Sequence, residues 1–317
     1  MNAAIDILVV NFNTSKLLGD MFSTLHHSDY AGEFRCLIVD NASSDASAEI
    51  LQRNHSEELL LLNKINVGFG RANNQLVEHI KGKFVLLLNT DAFVAPDTLT
   101  KSADYMENHS ECGILGVRLT DRDGEMQPSC RYFPTPFNVF LSRTGLDRFF
   151  PWVRLVDDMS WDHATERECD WVPGCYYLIR REVIDQIGLF DPRYFLYYEE
   201  IDHCKRVKEA GWKVVYYPHT SVVHLGGESA KSAGELTASG RQISALQIES
   251  ELLYFRKHHG WAGLALHMLL VTLGDLILAL KAMLKGRGRA AIAACWQHAR
   301  ITWGLLLDTH FATRPTR

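Results

Sequence analysis

Residues 5–13 read IDILVVNFN, in which an apolar, β-branched run stops at a polar residue, Asn11. A short run with so little alternation predicts a strand buried on both faces of a parallel sheet. Similar runs return at residues 34–39, 59–62 and 84–88, and helical patterns follow at residues 15–27, 46–54, 71–80 and 96–108. Four successive strand–helix units predict an α/β fold with a mostly parallel central sheet flanked by helices.

The pattern is less regular in the second half of the chain. Residues 119–170 contain several prolines and many aromatic residues, so no regular element is predicted there. Beyond them, strands are predicted at residues 176–180, 213–217 and 222–225, and helices at residues 182–187 and 200–210. A long polar helix around residues 242–258 precedes two strongly apolar segments, residues 261–284 and 290–307.

The composition is that of an ordinary globular protein. The 317 residues are 47% hydrophobic and 22% charged, which allows one large domain with or without an appendage. None of the seven cysteines belongs to a CxxC pair, so we expect neither a zinc site nor a redox motif. Scattered cysteines indicate a reducing compartment, and the first residues resemble a strand more than a signal peptide. Both observations predict a cytoplasmic protein.

Charge is distributed unevenly along the chain. The net charge is −5, yet residues 256–317 carry nine lysines and arginines against two acids, Asp275 and Asp308. We therefore divide the sequence into an α/β domain, residues 1–255, and a basic, helical C-terminal region, residues 256–317. A basic region of this kind is expected to meet an anionic surface.

Polar residues follow the ends of the predicted strands, where ligands bind in open α/β sheets. These residues are Asn11, Asp40, Asn41, Asn66 and Asp91. Because the carboxyl ends of parallel strands meet at one edge of a sheet, we expect the side chains to face one crevice. A single Asp after a strand is usually a helix cap, which is how we interpret Asp45. Four polar strand ends in series indicate a binding site instead.

Seven motifs occur in the order typical of a known family. They are VVNFN at residues 9–13, DNASSD at 40–45, NVGFGRANN at 66–74, NTD at 89–91, WVPG at 171–174, FDPRYFLYYEEID at 190–202, and GW at 211–212 followed by His224. The series resembles the signature of the family-2 glycosyltransferases of the GT-A fold and covers roughly residues 5–226. This resemblance implies an inverting enzyme that takes a sugar from a nucleotide-sugar donor.

The resemblance also implies which residues bind the donor. They are Asn11, Asp40, Asn41, Asn66, Gly68, Arg71, Asn74, Asn89 and Asp91, with Asp40 at the base of the nucleotide. In the segment from Asn66 to Asn74, glycines allow a close backbone approach and a helix N-terminus favours a diphosphate. The alternative for its glycines is an ordinary turn before a capped helix.

A divalent metal, Mg²⁺ or Mn²⁺, is the implied cofactor. Asp91 matches the last position of the family's DxD-like motif, and Asn89 stands where many relatives have Asp, so the site carries less protein charge. By resemblance His224 is the second ligand, although taken alone it could be a hydrogen-bonded histidine near the sheet. Such a metal prefers oxygen ligands and neutralises the charge that develops on a leaving diphosphate.

The acidic residues Glu199, Glu200 and Asp202 match the catalytic segment of the family. Inverting transfer needs a base near the acceptor hydroxyl. The family usually has Glu-Asp or Asp-Asp here with the second acid as base, which maps to Glu200. The Glu at that position departs from the pattern and leaves Glu199 open. From the residues alone, an acidic first turn stabilised by the helix dipole is the alternative. Trp171, Gly174 and Asp202 are expected on the acceptor side.

The stretch RYFP at residues 131–134 resembles one common in the rhamnosyltransferase branch, or else it is a packed aromatic loop. We therefore expect transfer of L-rhamnose from dTDP-rhamnose to a glycan or a polyprenyl-diphosphate-linked acceptor, in polysaccharide assembly for the cell envelope. The alternatives are transfer from a UDP-sugar, a retaining mechanism, and a non-catalytic nucleotide-sugar-binding subunit. A pyrophosphorylase is disfavoured because no basic, Gly-rich loop follows the first strand.

The C-terminal region suggests contact with a membrane. Residues 261–281 are long enough to span a bilayer, but His267 and Asp275 make spanning costly. With Lys281 and Lys285 close by, we expect the C-terminal helices to lie in the interface, so that the protein is peripheral on the inner face of the cell membrane. The alternative is a helical pair packed on the α/β domain or at a homodimer interface. Nucleic acid is not expected as a partner.

Overall fold

The structure, a computed structural model, describes residues 4–159, 161–226 and 241–317. Within these residues ten strands form one mixed sheet. The strands are β1 (Ile5–Asn11), β2 (Phe34–Asp40), β3 (Leu59–Leu62), β4 (Phe84–Leu88), β5 (Ala92–Val94), β6 (Cys112–Thr120), β7 (Met126–Gln127), β8 (Arg167–Glu168), β9 (Tyr176–Arg180) and β10 (Lys213–His224). Their order across the sheet is β3-β2-β1-β4-β9-β6-β10-β5, with β7 beside β6 and β8 beside β10.

The first four predicted strands form the parallel part of the sheet, because β3, β2, β1 and β4 pair in parallel register. The next strand, β9, lies between β4 and β6 and runs antiparallel to both. The two strands predicted over residues 213–225 are one strand, β10. Its register with β6 shifts between Tyr217 and Ser221, so an irregularity in the strand absorbs the residues that interrupt its apolar pattern.

Both faces of the sheet are covered, which explains the nearly continuous apolar pattern of its strands. In β1, Ile7 and Val9 belong to one buried apolar cluster and Leu8 belongs to the other. All three side chains are at most 1% exposed. Because alternate residues of a strand point to opposite faces, this division places one apolar layer on each side of the sheet.

Nine helices of four or more residues occur in the described residues. They are α1 (Ser15–His26), α2 (Ser47–Asn54), α3 (Phe69–Asn74), α4 (Thr98–Asn108), α5 (Pro136–Thr144), α6 (Arg181–Ile187), α7 (Glu199–Glu209), α8 (Arg241–Leu284) and α9 (Gly288–Asp308). The helix predicted over residues 71–80 is wrong in its extent. It ends at Asn74, whose side chain exchanges two hydrogen bonds with the backbone of Phe190, and a short 3-10 turn follows at Val77–His79.

Helix α5 lies in the segment for which no regular element was predicted. Thr135 caps it, with its hydroxyl accepting from the backbone N–H of Asn138 while the Asn138 side chain accepts from the Thr135 backbone. Pro136 occupies the first turn. This capping box with a first-turn proline was a readable start signal, hidden by the prolines around it.

The C-terminal helices pack on the α/β domain. Helix α8 is interrupted at Gly260, which has a φ of 65° and a ψ of −163°. Before this break, residues 252–255 are buried in the apolar cluster that contains Leu8. The remainder packs against α9 and α5. The predicted boundary between residues 255 and 256 therefore falls inside a helix, and the division into two regions stays a prediction. By length and composition, one helix of the described residues, Ala245–Leu284, could cross a membrane.

Candidate active site

A cavity of about 240 Å³ lies beyond the carboxyl ends of β1 and β4, at the edge of the sheet where the polar strand ends were predicted to meet. Six of the residues predicted from sequence line it: Asn89, Asp91, Gly174, Glu199, Glu200 and His224. Although these residues are widely separated along the chain, the fold brings them to one pocket.

Asp91 and His224 face each other at one side of the cavity. The antiparallel pairing of β5 with β10 sets Ala92 opposite His224, and the backbone N–H of Leu225 donates to the carbonyl of Asp91. As a result the Nε2 atom of His224 lies 3.6 Å from Oδ1 of Asp91. This spacing suits two ligands that share one cation.

Gln127 fixes the orientation of the His224 ring. Its amide nitrogen donates to the carbonyl of His224 at 2.8 Å, and its amide oxygen lies 3.0 Å from Nδ1 of the same residue. Since a carbonyl can only accept, the amide oxygen must accept from Nδ1–H. Burial lowers the pKa of His224, against the charge of Asp91, so the ring is neutral at pH 7 and its Nε2 lone pair faces Asp91. No sequence motif pointed to Gln127.

Glu199 and Glu200 stand on the other side of the cavity, at the N-terminus of α7. Glu199 is 4% exposed, and in the described part of the chain the Oε2 atoms of both residues are buried without a hydrogen-bond partner. Burial and the charge of Glu200 raise the pKa of Glu199 well above its usual value. Burial also raises the pKa of Glu200, against the charge of Arg131. Such a pair is suited to proton transfer.

The charge of Arg131 acts on both sides of the cavity. Its guanidinium lies 4.7 Å from the centre of the Trp171 ring and 3.2 Å from Oδ1 of Asp157. Its charge lowers the pKa of both Glu200 and His224. In the sequence, the RYFP stretch pointed only to the donor sugar, because the influence of Arg131 on Glu200 depends on the fold.

The backbone that leads into α7 is strained. Tyr197 and Tyr198 have φ values of 68° and 67°, a region that side chains rarely adopt and that costs about 1–3 kcal/mol per residue. The hydroxyl of Tyr198 donates to Oε2 of Glu251 in α8 at 2.9 Å, and its ring packs on Tyr254. The C-terminal helices thus hold the turn that presents Glu199 and Glu200.

The residues predicted to bind the nucleotide form a buried polar network beside the cavity. The side-chain amide of Asn11 donates to Oδ2 of Asp40 at 2.7 Å, and Oδ1 of Asp40 accepts from the backbone N–H of Ser43 at 2.9 Å. The hydroxyl of Thr14 donates to Oδ1 of Asn11. The network fixes Asp40 at the end of β2, and its residues lie next to Val10, which lines the cavity.

Asn41 and Asn66 hold the loop that precedes α3. The Asn41 amide donates to Oδ1 of Asn66, which also accepts from the backbone N–H of Gly68. Gly68 has a φ of 90°, and a Cβ there would overlap the carbonyl oxygen of Phe195. Only glycine therefore allows this loop to approach the turn that precedes Glu199.

Four predicted site residues face away from the cavity or lie beneath its wall. Arg71 donates to the carbonyls of Pro192 and Arg317, and Asn74 is bonded to Phe190. Trp171 is buried and donates from its indole N–H to the carbonyl of Tyr132. Asp202 is fully buried, and its carboxylate contacts Arg206, Lys257 and His258.

The chemistry of the cavity fits a divalent metal held partly by substrate. The described residues contain no group of three or more His, Cys, Asp or Glu side chains that could hold an ion by themselves. Asp91 and His224 would supply two ligands, and diphosphate oxygens and waters would complete the shell. Mg²⁺ is commonly bound through one or two carboxylates together with substrate phosphates and waters, and Asp91 would supply the carboxylate.

The protein has the GT-A fold. A mannosyltransferase from Pyrobaculum calidifontis, solved in complex with GDP-Man and Mn²⁺, superposes over 98% of this chain and 84% of its own, with a TM-score of 0.56 and 15% identity. Residues 1–349 of TarS from S. aureus superpose over 96% of this chain and 92% of their own, with a TM-score of 0.51 and 13% identity.

The sequence gives the family. The model of "Glycosyltransferase like family 2" matches residues 3–245, and the chain belongs to this family. An N-acetylglucosaminyl-diphospho-decaprenol L-rhamnosyltransferase from Mycobacterium tuberculosis is 28% identical over 71% of this chain and 76% of its own. The rhamnosyltransferase WbbL from Escherichia coli K12 is 24% identical over 71% of this chain and 85% of its own. The chain is thus a hexosyltransferase with rhamnosyltransferases among its relatives.

Proposed function

We propose that this enzyme transfers a sugar from a nucleotide-sugar with inversion at the anomeric carbon, with Glu200 as the general base and Asp91 and His224 as metal ligands. The observation that carries the proposal is the pair of carboxylates with raised pKa values, which faces Asp91 and His224 across one cavity. One side of the cavity can therefore accept a proton while the other side meets the departing diphosphate.

Transfer needs few groups from the protein. The acceptor hydroxyl gives its proton to the Glu200 carboxylate as its oxygen attacks the anomeric carbon, and the bond from that carbon to the diphosphate oxygen breaks on the opposite face. A bound Mg²⁺ or Mn²⁺ would supply Lewis-acid stabilisation of the leaving diphosphate. The P. calidifontis mannosyltransferase was solved with Mn²⁺. Asn89 adds a neutral amide where a second acid would add charge.

Glu200 suits the role of base better than Glu199. The charge of Arg131 favours the ionised form of Glu200, whereas no cation of the described residues is among the main influences on the pKa of Glu199. Glu199 is therefore the residue of the pair that holds its proton more tightly. In this arrangement Glu200 is ionised when an acceptor arrives, and Glu199 keeps the repulsion within the pair small.

For the donor and acceptor, we propose dTDP-L-rhamnose and a glycan on a polyprenyl diphosphate. The support is the likeness to two rhamnosyltransferases, one of which is named for a diphospho-decaprenol acceptor. TarS, which is named as a β-N-acetylglucosaminyltransferase, is 22% identical over 43% of the chain and keeps a UDP-sugar donor as the second candidate. Asn11, Asp40, Asn41, Asn66 and Gly68 are proposed to shape the nucleotide site, with Arg71 and Asn74 held in the wall behind it.

We propose that the enzyme works in the cytoplasm, attached peripherally to the inner face of the membrane through its C-terminal region, residues 256–317. The exposed leucines of α8 and the basic residues after them support this proposal. A lipid-linked acceptor would then lie in the same plane as the enzyme.

Calorimetric titration tests the donor and the metal together. dTDP-rhamnose, UDP-sugars and GDP-sugars are titrated with and without Mg²⁺ or Mn²⁺ into the wild type, Asp91→Ala and the control Asp104→Ala, which replaces an exposed acid of α4. We expect metal-dependent binding of dTDP-rhamnose that only Asp91→Ala weakens, by at least 10-fold. Tight binding that ignores both the metal and Asp91→Ala would overturn the metal site. If none of these donors bound, the proposal would be wrong.

A further inference from the structure

A second cavity, of about 360 Å³, lies between the part of α8 after Gly260 and the C-terminal helix α9. We call it the apolar slot. It is lined by Trp261, Leu264, Ala265, Met268, Leu269, Thr272, Trp303, Leu306 and Phe311. Its volume is within the range of about 300–1,000 Å³ that is typical of small-molecule sites.

The apolar slot has few polar atoms that could form hydrogen bonds with a ligand. The indole N–H of Trp303 donates to the hydroxyl of Thr272 at 3.1 Å, and that hydroxyl donates to the carbonyl of Met268 at 2.8 Å. Its polar side-chain atoms are therefore already engaged with the protein, and a buried polar ligand would lose hydrogen bonds to water. A hydrocarbon chain would lose none.

The apolar slot opens on a face of the protein that is itself exposed and apolar. Leu269, which is 64% exposed, belongs both to the slot and to a stripe along α8. The stripe continues through Leu266, Leu273, Leu276, Leu280 and Met283, each between 43% and 61% exposed. Residues three or four apart share one helix face, so the stripe is continuous. A hydrocarbon chain could pass from a lipid phase into the slot without crossing a polar surface.

One arginine lies beside the apolar slot, and another lies beside the wall of the catalytic cavity. The guanidinium of Arg256 lies 4.2 Å from the centre of the Trp261 ring, and its buried Nε–H has no hydrogen-bond partner in the described residues. The guanidinium of Arg317 lies 5.3 Å from the centre of the Phe195 ring, next in sequence to Leu196 of the cavity wall. Arg317 follows Phe311 of the slot by six positions, a span of at most about 22 Å.

We propose that the apolar slot binds the isoprenoid chain of a lipid-linked acceptor, with the diphosphate of the lipid at Arg256 and Arg317 and its sugar in the catalytic cavity. The inference rests on the acceptor class proposed above, and names where the lipid binds. An arginine beside the slot and another beside the wall of the catalytic cavity favour an isoprenoid diphosphate over an uncharged acyl chain, because guanidinium groups pair well with phosphate oxygens.

The test is direct binding of farnesyl diphosphate to the full chain, measured by calorimetry below the concentration at which the lipid forms micelles. Inorganic diphosphate and farnesol are the control ligands, because the first carries only the head group of farnesyl diphosphate and the second only its hydrocarbon tail. Ala265→Trp fills the mouth of the slot at an exposed position, and Ala293→Trp adds the same side chain at an exposed position of α9 outside it. Arg256→Gln removes one charge at the proposed diphosphate position.

We expect farnesyl diphosphate to bind at least 10-fold more tightly than diphosphate or farnesol. Ala265→Trp and Arg256→Gln should each weaken its binding at least 10-fold, and Ala293→Trp should not. Equal binding by the two tryptophan variants would overturn the inference, as would equal binding of diphosphate alone. A slot that binds oleate as tightly would be a general lipid site, and a dimer lost in Ala265→Trp would make it an interface between copies.

Donor titrations on the same variants separate this inference from the proposed function. We expect dTDP-rhamnose to bind Ala265→Trp and the wild type equally. If donor binding failed in every variant while farnesyl diphosphate still bound in the slot, the proposed function would be wrong and the lipid site would stand. If donor binding held and the lipid failed to bind, only the slot assignment would be wrong.

Discussion

At the scale of single residues, the difference in proton affinity between Glu199 and Glu200 depends on their surroundings. Both carboxylates are withdrawn from water at the start of one helix, and burial raises both pKa values. Arg131 acts against this shift at Glu200, and the charge of Glu200 adds to the shift at Glu199. Two groups of the same type are thereby given different proton affinities, which is how neighbouring carboxyl groups take on different roles.

We expect Glu200→Gln to lower kcat by about 10²–10⁴-fold, because an amide cannot take the proton of the acceptor. Glu199→Gln is the matched comparison, since it removes the neighbouring carboxylate and leaves the proposed base in place. Donor affinity, measured by calorimetry, should be the same in both variants. In the wild type, transfer should rise with pH through the raised pKa of Glu200, as measured by initial rates. A larger loss of kcat in Glu199→Gln would move the role of base to that residue.

A site residue could be predicted from the sequence when the pattern that marks it lies in its own stretch of chain. Asp91 follows a predicted strand, His224 lies in one, and the carboxylate pair stands at the start of a predicted helix. Strand ends and motif order were therefore enough to predict that these residues would lie together, and their roles stay predictions. Gln127 and Glu251 lie on other elements and act only through contacts with His224 and Tyr198. Such contacts need the fold, and no local pattern marks them.

At the scale of elements, helices α7 and α8 are joined through one buried acid. Asp202 contacts Arg206 in its own helix at 2.9 Å, and Lys257 and His258 in α8 at 2.5 and 2.7 Å. Burial alone would raise the pKa of Asp202, but the hydrogen bond from His258 and the charges of Lys257 and Arg206 lower it to about 2. The acceptor-side role predicted for Asp202 is therefore most directly one of support, because it fixes the helix that begins with the carboxylate pair.

We expect Asp202→Asn to destabilise the protein by about 3 kcal/mol, because Lys257 and Arg206 would lose a buried counter-charge. Urea denaturation of this variant and of Asp185→Asn gives the comparison. Asp185 is an exposed acid 3.5 Å from Arg181, and its loss should cost less than about 1 kcal/mol.

The contribution of Asp202 to the stability of the folded protein depends on pH in a defined direction. Its folded-state pKa is lowered, so the contribution is fully present above the unfolded pKa of about 4 and is lost as the pH falls towards 2. The difference in stability between wild type and Asp202→Asn should therefore shrink between pH 4 and pH 2. A difference that stayed constant over this range would assign the stabilisation to packing.

Elements were predicted well where periodicity is strong and poorly where tertiary contacts end them. The parallel strands and α4 have the predicted positions because their patterns repeat over whole elements. Helix α3 ends early at Asn74, where the side chain bonds a segment more than 100 residues away. The sequence predicted a gap between two strands, residues 213–217 and 222–225. In the structure this gap is an irregularity within the single strand β10, because pairing with β6 resumes at Ser221.

At the scale of the whole molecule, the C-terminal helices have one face on the protein and one face exposed. His267 and Asp275, which made a membrane span costly, point to protein partners: Nε2 of His267 lies 2.9 Å from Glu251, and Asp275 contacts Arg143 and His298. The polar residues of the apolar segment are thus engaged on the inner face, and the leucine stripe lies on the outer face. This is the arrangement expected of a helix lying in a membrane interface.

We expect the protein to bind vesicles that contain anionic lipid and to lose at least about 100-fold in affinity when Leu273, Leu276 and Leu280 are changed to Ser, because each buried leucine contributes about 1.5–3 kcal/mol. The control is the double variant Leu62→Ser and Ile65→Ser, which removes exposed apolar side chains near β3. Co-sedimentation at low and high salt measures both contributions. High salt should weaken vesicle binding by screening the charges of Lys281, Lys285, Arg287 and Arg289. It should not weaken the contribution of the apolar side chains to binding. Equal vesicle binding by the triple variant and the wild type would contradict this prediction. A dimer that dissociates in the triple variant would instead identify this face as an interface between two copies of the chain.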